Sequence, residues 1–126
     1  MMSLWASGIK KNDEVITTPL SFIATVNSII HIGAKPVFVD VGDDLNINPD
    51  LIVKAITKKT KAILPVHWAG RVCNMDLICK IAKKYNLIVI EDAAQAMGAY
   101  YKNKHAGNFG KISAFSLHPY KNLSGL

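Results

Sequence analysis

The sequence has 126 residues, 50% of them hydrophobic, and a formal net charge of +6. A chain of this length buries about two thirds of its extended surface as one domain, and such an apolar composition excludes a disordered protein. Its apolar runs are shorter than the ~20 residues that span a bilayer. Residues 1–9 lack the pattern of a signal peptide. We therefore expect a soluble, cytoplasmic protein without a membrane partner.

The basic residues do not indicate a nucleic-acid partner. Lysines are scattered at residues 58–61, 83–84 and 102–104, and aromatic side chains are not interleaved with them as base stacking requires. Cys73 and Cys79 would lie on different faces of a helix, so we expect free thiols. The histidines lack the paired spacing of metal ligands, and we expect no metal site.

The first half of the chain alternates helices and strands. Gly8 is suited to close a helix, Ser21 to be the N-cap of one, and Asn48 with a following proline to begin another. The elements predicted there are the end of a helix over residues 1–9, a strand over 13–17, a helix over 22–32, a strand over 36–40 and a helix over 48–56.

The second half continues the alternation and then becomes rich in turns. The predicted elements are a strand over residues 60–66, a helix over 74–85, a strand over 87–91, a hairpin around 102–104 and a strand over 114–117. Strands that are apolar on both faces and alternate with single helices indicate a parallel sheet. The fold class predicted is α/β, a mostly parallel sheet with helices on both faces.

Two residues remain as candidates for chemistry once the common motifs are excluded. Gly107 and Gly110 have G-x-x-G spacing but follow no clear strand, so they are not a dinucleotide fingerprint. Asp92 and Lys121 each follow an apolar strand, and ligands bind at the carboxyl ends of parallel strands. A lysine in apolar surroundings can attack an aldehyde. On the residues alone, the alternatives are that Asp92 caps a helix after the fourth strand and that Lys121 is an exposed loop lysine.

Four segments, in this order and at this spacing, resemble the DegT-type family of nucleotide-sugar aminotransferases. These enzymes depend on pyridoxal 5′-phosphate (PLP) and have the fold called type I. The likeness begins at NDEVI in residues 12–16 and extends to the end of the chain. The four segments are GAKPVFVD at 33–40, TKAILPVH at 60–67, EDAAQA at 91–96 and FSLHPYKNL at 115–123.

The resemblance implies roles for the acid and the lysine. Lys121 matches the lysine that holds the cofactor covalently and later moves the proton on the substrate carbon, which makes it the catalytic residue. Asp92 matches the carboxylate that pairs with the pyridine nitrogen and keeps it protonated, so that the ring acts as an electron sink.

Three more residues match cofactor contacts of the family. Phe22 matches an aromatic side chain that stacks on the ring, Ser116 a hydroxyl that contacts the phosphate, and Gln95 a polar group beside the ring oxygen. By spacing alone, Phe22 would equally suit the core, and Ser116 and Gln95 would suit turns. His67, Trp68 and His118 are candidates to approach substrate, although residues just past a strand often pack under a loop.

The resemblance also implies what this stretch lacks. We expect residues 1–126 to be part of a PLP-binding large domain, without the phosphate-binding turn that precedes it in the family and without the C-terminal small domain. The parent protein is expected to be a homodimer that binds a nucleotide-linked keto sugar and an amino-acid donor, glutamate. We expect the fragment alone to be inactive.

Two other functions remain open at this point. One is a PLP-dependent sugar dehydratase, in which a histidine replaces the lysine, so Lys121 argues against it. The other is a small α/β binding or regulatory module without enzymatic activity, in which Asp92 and Lys121 form only an ion pair.

Overall fold

The computed structural model describes residues 1–122, so Leu123, the last residue of the fourth family segment, lies outside the described residues. The helices are α1 (Met2–Ala6), α2 (Ile23–His31), α3 (Pro49–Ala55) and α4 (Met75–Tyr85), with a short 3₁₀ helix at Trp68–Gly70. The strands are β1 (Glu14–Thr17), β2 (Lys35–Phe38), β3 (Thr60–Ile63), β4 (Ile88–Asp92), β5 (Tyr100–Tyr101), β6 (Lys104–His105) and β7 (Ile112–Ala114). Within residues 1–122, no helix has the length and apolar character needed to cross a membrane.

Five of the strands form one parallel sheet, in the order β2-β1-β3-β4-β7. The predicted mostly parallel sheet is therefore confirmed. Because all five strands run in the same direction, their carboxyl ends meet at one edge of the sheet, which is where ligands bind in open α/β folds.

Helices cover both faces of this sheet, as predicted. Successive side chains of a strand point to opposite faces, so Ile90 of β4 joins the apolar cluster on one face and Val89 joins the cluster on the other. The first cluster includes Leu4 of α1 and Ile29 of α2, and the second includes residues of α3 and α4. Each fully buried isoleucine contributes about 1.5–3 kcal/mol through loss of contact with water.

Side-chain caps explain where two of the helices begin. Asn48 accepts a hydrogen bond from the Asp50 N–H and is followed by Pro49, as predicted for α3. Asn74 accepts from the Leu77 N–H at the start of α4. The prediction that Ser21 caps α2 is wrong, because the N-cap is Phe22. The Ser21 hydroxyl instead lies 2.6 Å from the Thr25 hydroxyl, a side-chain partner one turn along the helix.

The last strand of the sheet lies earlier in the chain than predicted. It ends at Ala114, where the predicted strand began. Its partner β4 ends at Asp92, which is paired with Ala114, so the following residues have no neighbouring strand to pair with. The segment 115–121 is therefore a loop beyond the carboxyl edge. The predicted hairpin is confirmed as β5 and β6.

Candidate functional site

A cavity of about 500 Å³ lies at the carboxyl edge of the sheet, between the ends of β4 and β7 and the amino-terminal half of α2. All five residues that the sequence predicts for the site line this cavity, and the structure therefore brings them together: Phe22, Asp92, Gln95, Ser116 and Lys121. Their roles toward a cofactor stay predictions.

The Asp92 carboxylate is held at the cavity wall by two neutral donors. The Thr25 hydroxyl donates to Oδ2 at 2.7 Å, and the Ala94 N–H donates to Oδ1 at 3.1 Å. Within residues 1–122 the carboxylates in contact with a basic side chain are Glu91, beside His67, and Asp76, beside Lys102, so Asp92 has no cationic partner in that part of the chain, Lys121 included. The negative charge of Asp92 is thus oriented but not neutralised by the described residues. This argues against a module in which Asp92 and Lys121 form only an ion pair.

Thr25 is a site residue that sequence reasoning missed. It is buried in the first turn of α2, and its hydroxyl joins Asp92 to Ser21. Ser28 follows on the same helix and donates to the Thr25 carbonyl at 2.7 Å. All three residues line the cavity. The signal was present in the sequence, because the three hydroxyl residues recur at helical spacing within a mostly apolar segment.

Gln95 lies between this cavity and a second, more polar one of about 460 Å³. Its side-chain oxygen accepts a hydrogen bond from the Ala69 N–H at 3.1 Å. Ala69 belongs to the 3₁₀ helix and has a φ of +50°, a left-handed conformation that turns the chain sharply there. Since Oε1 is engaged, the amide Nε2 is the group of Gln95 left to donate to a ligand.

Phe22, Ser116 and Lys121 occupy the rim of the cavity. Phe22 is 69% exposed, which excludes the alternative that it is a core residue of α2. The Ser116 hydroxyl accepts from the His118 N–H, so it also has the local turn role considered from the sequence. Lys121 is half-buried and lines both cavities. Its backbone N–H donates to the His118 carbonyl.

Of the three candidates to approach substrate, only His118 lines the cavity. The expectation for His67 is wrong, because its side chain is 0% exposed. Its Nδ1 accepts from the Cys73 N–H, so its Nε2 carries the hydrogen that is donated to Glu91 at 3.0 Å. Trp68 lines neither cavity, and its backbone N–H donates to the Asn46 side-chain oxygen.

Glu91 is buried beside Asp92 but belongs to a different network. Burial acts to raise the pKa of its carboxyl group, yet the hydrogen bonds from His67 and from the N–H groups of Gly110, Gly107 and Phe109 outweigh burial. The pKa of Glu91 therefore lies below its ordinary value, and the group is a carboxylate at neutral pH.

The comparison with known families agrees with this geometry. The model of the DegT/DnrJ/EryC1/StrS aminotransferase family matches residues 1–125. The chain belongs to this family. Aminotransferases of the DegT family use PLP, and the residues that line the cavity include the five that the family resemblance predicts to contact it.

Curated relatives of this DegT-family chain are much longer than the chain itself. The uncharacterised protein MJ1066 of Methanocaldococcus jannaschii is 55% identical over 124 residues, which are 98% of this chain and 32% of the relative. The spore coat polysaccharide biosynthesis protein SpsC of Bacillus subtilis is 47% identical, again with 98% of this chain and 32% of the relative covered. The chain thus spans about a third of the length of these relatives.

Solved structures of similar proteins have the same fold. DesV of S. venezuelae, in complex with a ketimine intermediate, has a TM-score of 0.93 and 40% identity, covering 97% of this chain and 33% of DesV. NtdA of Bacillus subtilis, with bound cofactor PMP, has a TM-score of 0.88 and 43% identity, covering 96% and 27%. DesI, in the presence of its TDP-sugar product, has a TM-score of 0.88 and 36% identity, covering 95% and 31%.

Proposed function

We propose that residues 1–126 are part of the PLP-binding large domain of an aminotransferase that acts on a nucleotide-linked keto sugar, with glutamate as the amino donor. The observation that carries the proposal is the Asp92 carboxylate, which has no cationic partner within residues 1–122 and lies at a cavity that Lys121 also lines, in a chain of the DegT family.

The residues at the cavity suit this cofactor. Asp92 is oriented by neutral donors only, so its charge is available for a protonated ring nitrogen. The exposed ring of Phe22 offers a stacking surface, the amide Nε2 of Gln95 a donor for the ring oxygen, and the Ser116 hydroxyl a contact for the phosphate.

When bound, PLP supplies an electron sink for the carbon that exchanges the amino group. The chain's own residues would orient that sink and move protons. Asp92, held by Thr25 and Ala94, would keep a proton on the ring nitrogen. The Lys121 amine would hold the cofactor through its aldehyde and, when free, carry a proton to or from the substrate carbon.

We propose further that the active protein is a longer, cytoplasmic homodimer. The greater length is supported by the relatives, of which the chain covers about a third, whereas the homodimer and the cytoplasm are what the family resemblance implies. The rest of the phosphate site and the small domain would come from sequence outside residues 1–126, and a second copy of the whole protein would be the partner subunit. On this proposal the 126-residue chain alone binds PLP weakly and does not turn over substrate, and tight binding with turnover by the isolated chain would refute it.

The experiment is to add PLP to the complete protein that contains this chain and to record the visible absorption of lysine-bound cofactor. Borohydride should then fix the cofactor on Lys121, as located by mass spectrometry of peptides. Lys121→Ala should abolish the band and the label. Lys111→Ala, a matched control at an exposed lysine beside β7, should leave both unchanged. Labelling of another lysine, or no band, would contradict the proposal.

The substrate class is tested on the same absorption band. Glutamate should remove the band, and a nucleoside-diphosphate keto sugar should restore it. The free keto sugar, without its nucleotide, is the matched control and should restore it far more slowly. Equal rates for the two sugars would exclude nucleotide recognition.

A further inference from the structure

The segment 107–110, whose G-x-x-G spacing matched no cofactor motif, forms a binding loop for a carboxylate of the protein itself. The Gly107 N–H donates to Glu91 Oε2 at 2.8 Å. The N–H groups of Phe109 and Gly110 donate to Oε1 at 2.7 and 2.6 Å. Successive backbone N–H groups of this kind make anion-binding concavities. Here the anion is Glu91.

A fourth donor completes the network. His67 Nε2 donates to Glu91 Oε2 at 3.0 Å, and both side chains are 0% exposed. Each carboxylate oxygen therefore accepts two hydrogen bonds, which offsets the cost of burying the charge. The network, called here the Glu91 clamp, consists of Glu91, His67 and the loop 107–110. It joins three segments, because His67 follows β3, Glu91 lies in β4 and the loop leads into β7.

The Glu91 clamp holds the chain where β7 begins. Gly110 approaches β4 so closely that a Cβ atom there would lie 2.6 Å from the Val89 carbonyl oxygen. The next residue, Lys111, donates its N–H to that same carbonyl at 2.8 Å. From there β7 is paired with β4, Ile112 with Ile90 and Ala114 with Asp92. The clamp thus sets the register of β7, and a slip of one residue would turn each side chain to the other face.

This register decides where the lysine-bearing segment leaves the sheet. Ala114 accepts a hydrogen bond from the Ala93 N–H at 2.9 Å, directly beside Asp92. The following residues include Ser116 and Lys121, which line the cavity. We propose that Glu91, together with His67, is a positioning residue that holds the segment 115–121 in place relative to Asp92. This inference rests on the proposed function only for the roles of Asp92 and Lys121.

The test compares Glu91→Gln with Glu14→Gln in the complete protein. Glutamine keeps the shape of Glu91 but replaces an acceptor oxygen with an N–H₂ group that would face N–H donors. Glu14 is the matched control, since its carboxylate also accepts two hydrogen bonds, from Thr57 and Thr60, but at the amino edge of the sheet.

Hydrogen exchange without cofactor gives the first readout. Glu91→Gln should raise exchange over residues 107–121 by about tenfold and leave residues 14–38 unchanged, because each 1.4 kcal/mol of lost local stability is a factor of ten. Glu14→Gln should leave residues 107–121 unchanged. If Glu91→Gln leaves exchange of residues 107–121 as in the unaltered protein, the inference is wrong.

Cofactor binding gives the second readout, one that a purely stabilising residue would not change. In Glu91→Gln the dissociation constant for PLP should rise by about tenfold, and the induced circular dichroism of the visible band should fall, because a small misplacement at a site is costly. Exchange that rises without any change in PLP affinity or dichroism would reduce Glu91 to a stabilising role and overturn the inference.

A second variant keeps the inference testable if Glu91→Gln does not fold. His67→Phe removes one of the four donors to Glu91, and also the acceptor of the Cys73 N–H, while it keeps a ring in the core. It should raise hydrogen exchange over residues 107–121 by at least about threefold, since one hydrogen bond contributes about 0.5–1.5 kcal/mol. No change in this variant would also overturn the inference. If the unaltered protein binds no PLP, the proposed function fails, while exchange over residues 107–121 still decides whether the clamp holds that segment.

Discussion

Glu91 and Asp92 are neighbours in the chain, yet they belong to two different regions of the molecule. Glu91 is 0% exposed and accepts four hydrogen bonds from His67 and the loop 107–110. Asp92 is half-buried, accepts two hydrogen bonds and borders the cavity. Because side chains alternate along a strand, one carboxylate meets the protein interior and the other meets the ligand side.

The number of donors explains the difference in role. An ionised carboxylate has about four lone-pair sites. In Glu91 the protein occupies all of them, so the group has no capacity left for a ligand. Among the described residues, Asp92 accepts two hydrogen bonds and has no cationic partner, so acceptor sites and charge are available for a cationic ligand atom. Two acids of similar chemistry are thus distinguished by their hydrogen-bond partners.

The largest expected effect is on kcat, from a change of Asp92, the acid that borders the cavity. Asp92→Asn keeps the size of the side chain and removes its charge, so kcat should fall by at least about a hundredfold, the usual cost of removing one electrostatic group from a site. The free energy of unfolding should change little. Steady-state kinetics and urea denaturation measure the two quantities. A stable variant with unchanged kcat would remove Asp92 from the proposed site.

The next largest effect is on the free energy of unfolding, from a change in the loop 107–110 that binds Glu91. In Gly110→Ala the new methyl group would lie 2.6 Å from the Val89 carbonyl oxygen, so the free energy of unfolding should fall by about 2–3 kcal/mol, as in overpacked sites. Gly98→Ala is the control, since it has a φ of +79° but no atom within 4 Å. Its cost should be about 1 kcal/mol, from the backbone alone. Equal losses in urea denaturation would contradict the close approach of the loop.

A pH series tests the contribution of the Glu91 carboxylate to stability. The pKa of Glu91 is lowered in the folded protein, so its stabilising contribution is complete above the unfolded pKa of about 4.3 and is lost as the pH falls through the lower folded-state pKa. The stability difference between the unaltered protein and Glu91→Gln should therefore be largest near neutral pH and shrink in acid. A difference that stays constant in urea denaturation from about pH 7 to about pH 3 would contradict this.

The smallest effect concerns the support of Asp92. Thr25→Val keeps the shape of the side chain and removes the hydroxyl that donates to Oδ2. The dissociation constant for PLP should rise about fivefold, which corresponds to the ~1 kcal/mol of one hydrogen bond. Thr57→Val, at an exposed threonine that donates to Glu14, is the control and should not change it. An equal change in both variants would mean that Thr25 has no specific role.

Local patterns were sufficient for most of the fold. Asn48 with Pro49 correctly predicted the start of α3, because a cap depends on residues only two positions apart. The apolar strands correctly predicted a parallel sheet with helices on both faces. The N-cap of α2 was missed, because the Ser21 hydroxyl has a better partner in Thr25, and β7 was placed too late because its length depends on where β4 ends.

The sequence by itself determined the α/β class, the order of the elements and, through the family segments, the candidate residues Phe22, Asp92, Gln95, Ser116 and Lys121. Only the tertiary structure decided how these residues are supported. The bond from Thr25 to Asp92 joins residues 67 positions apart, and that from His67 to Glu91 joins residues 24 positions apart. Periodicity and capping are local properties of a chain, whereas such contacts exist only once the strands have paired. For that reason the sequence could indicate Asp92 as the acid of the site, but it could not show that the neighbouring Glu91 is bound by His67 and the loop 107–110.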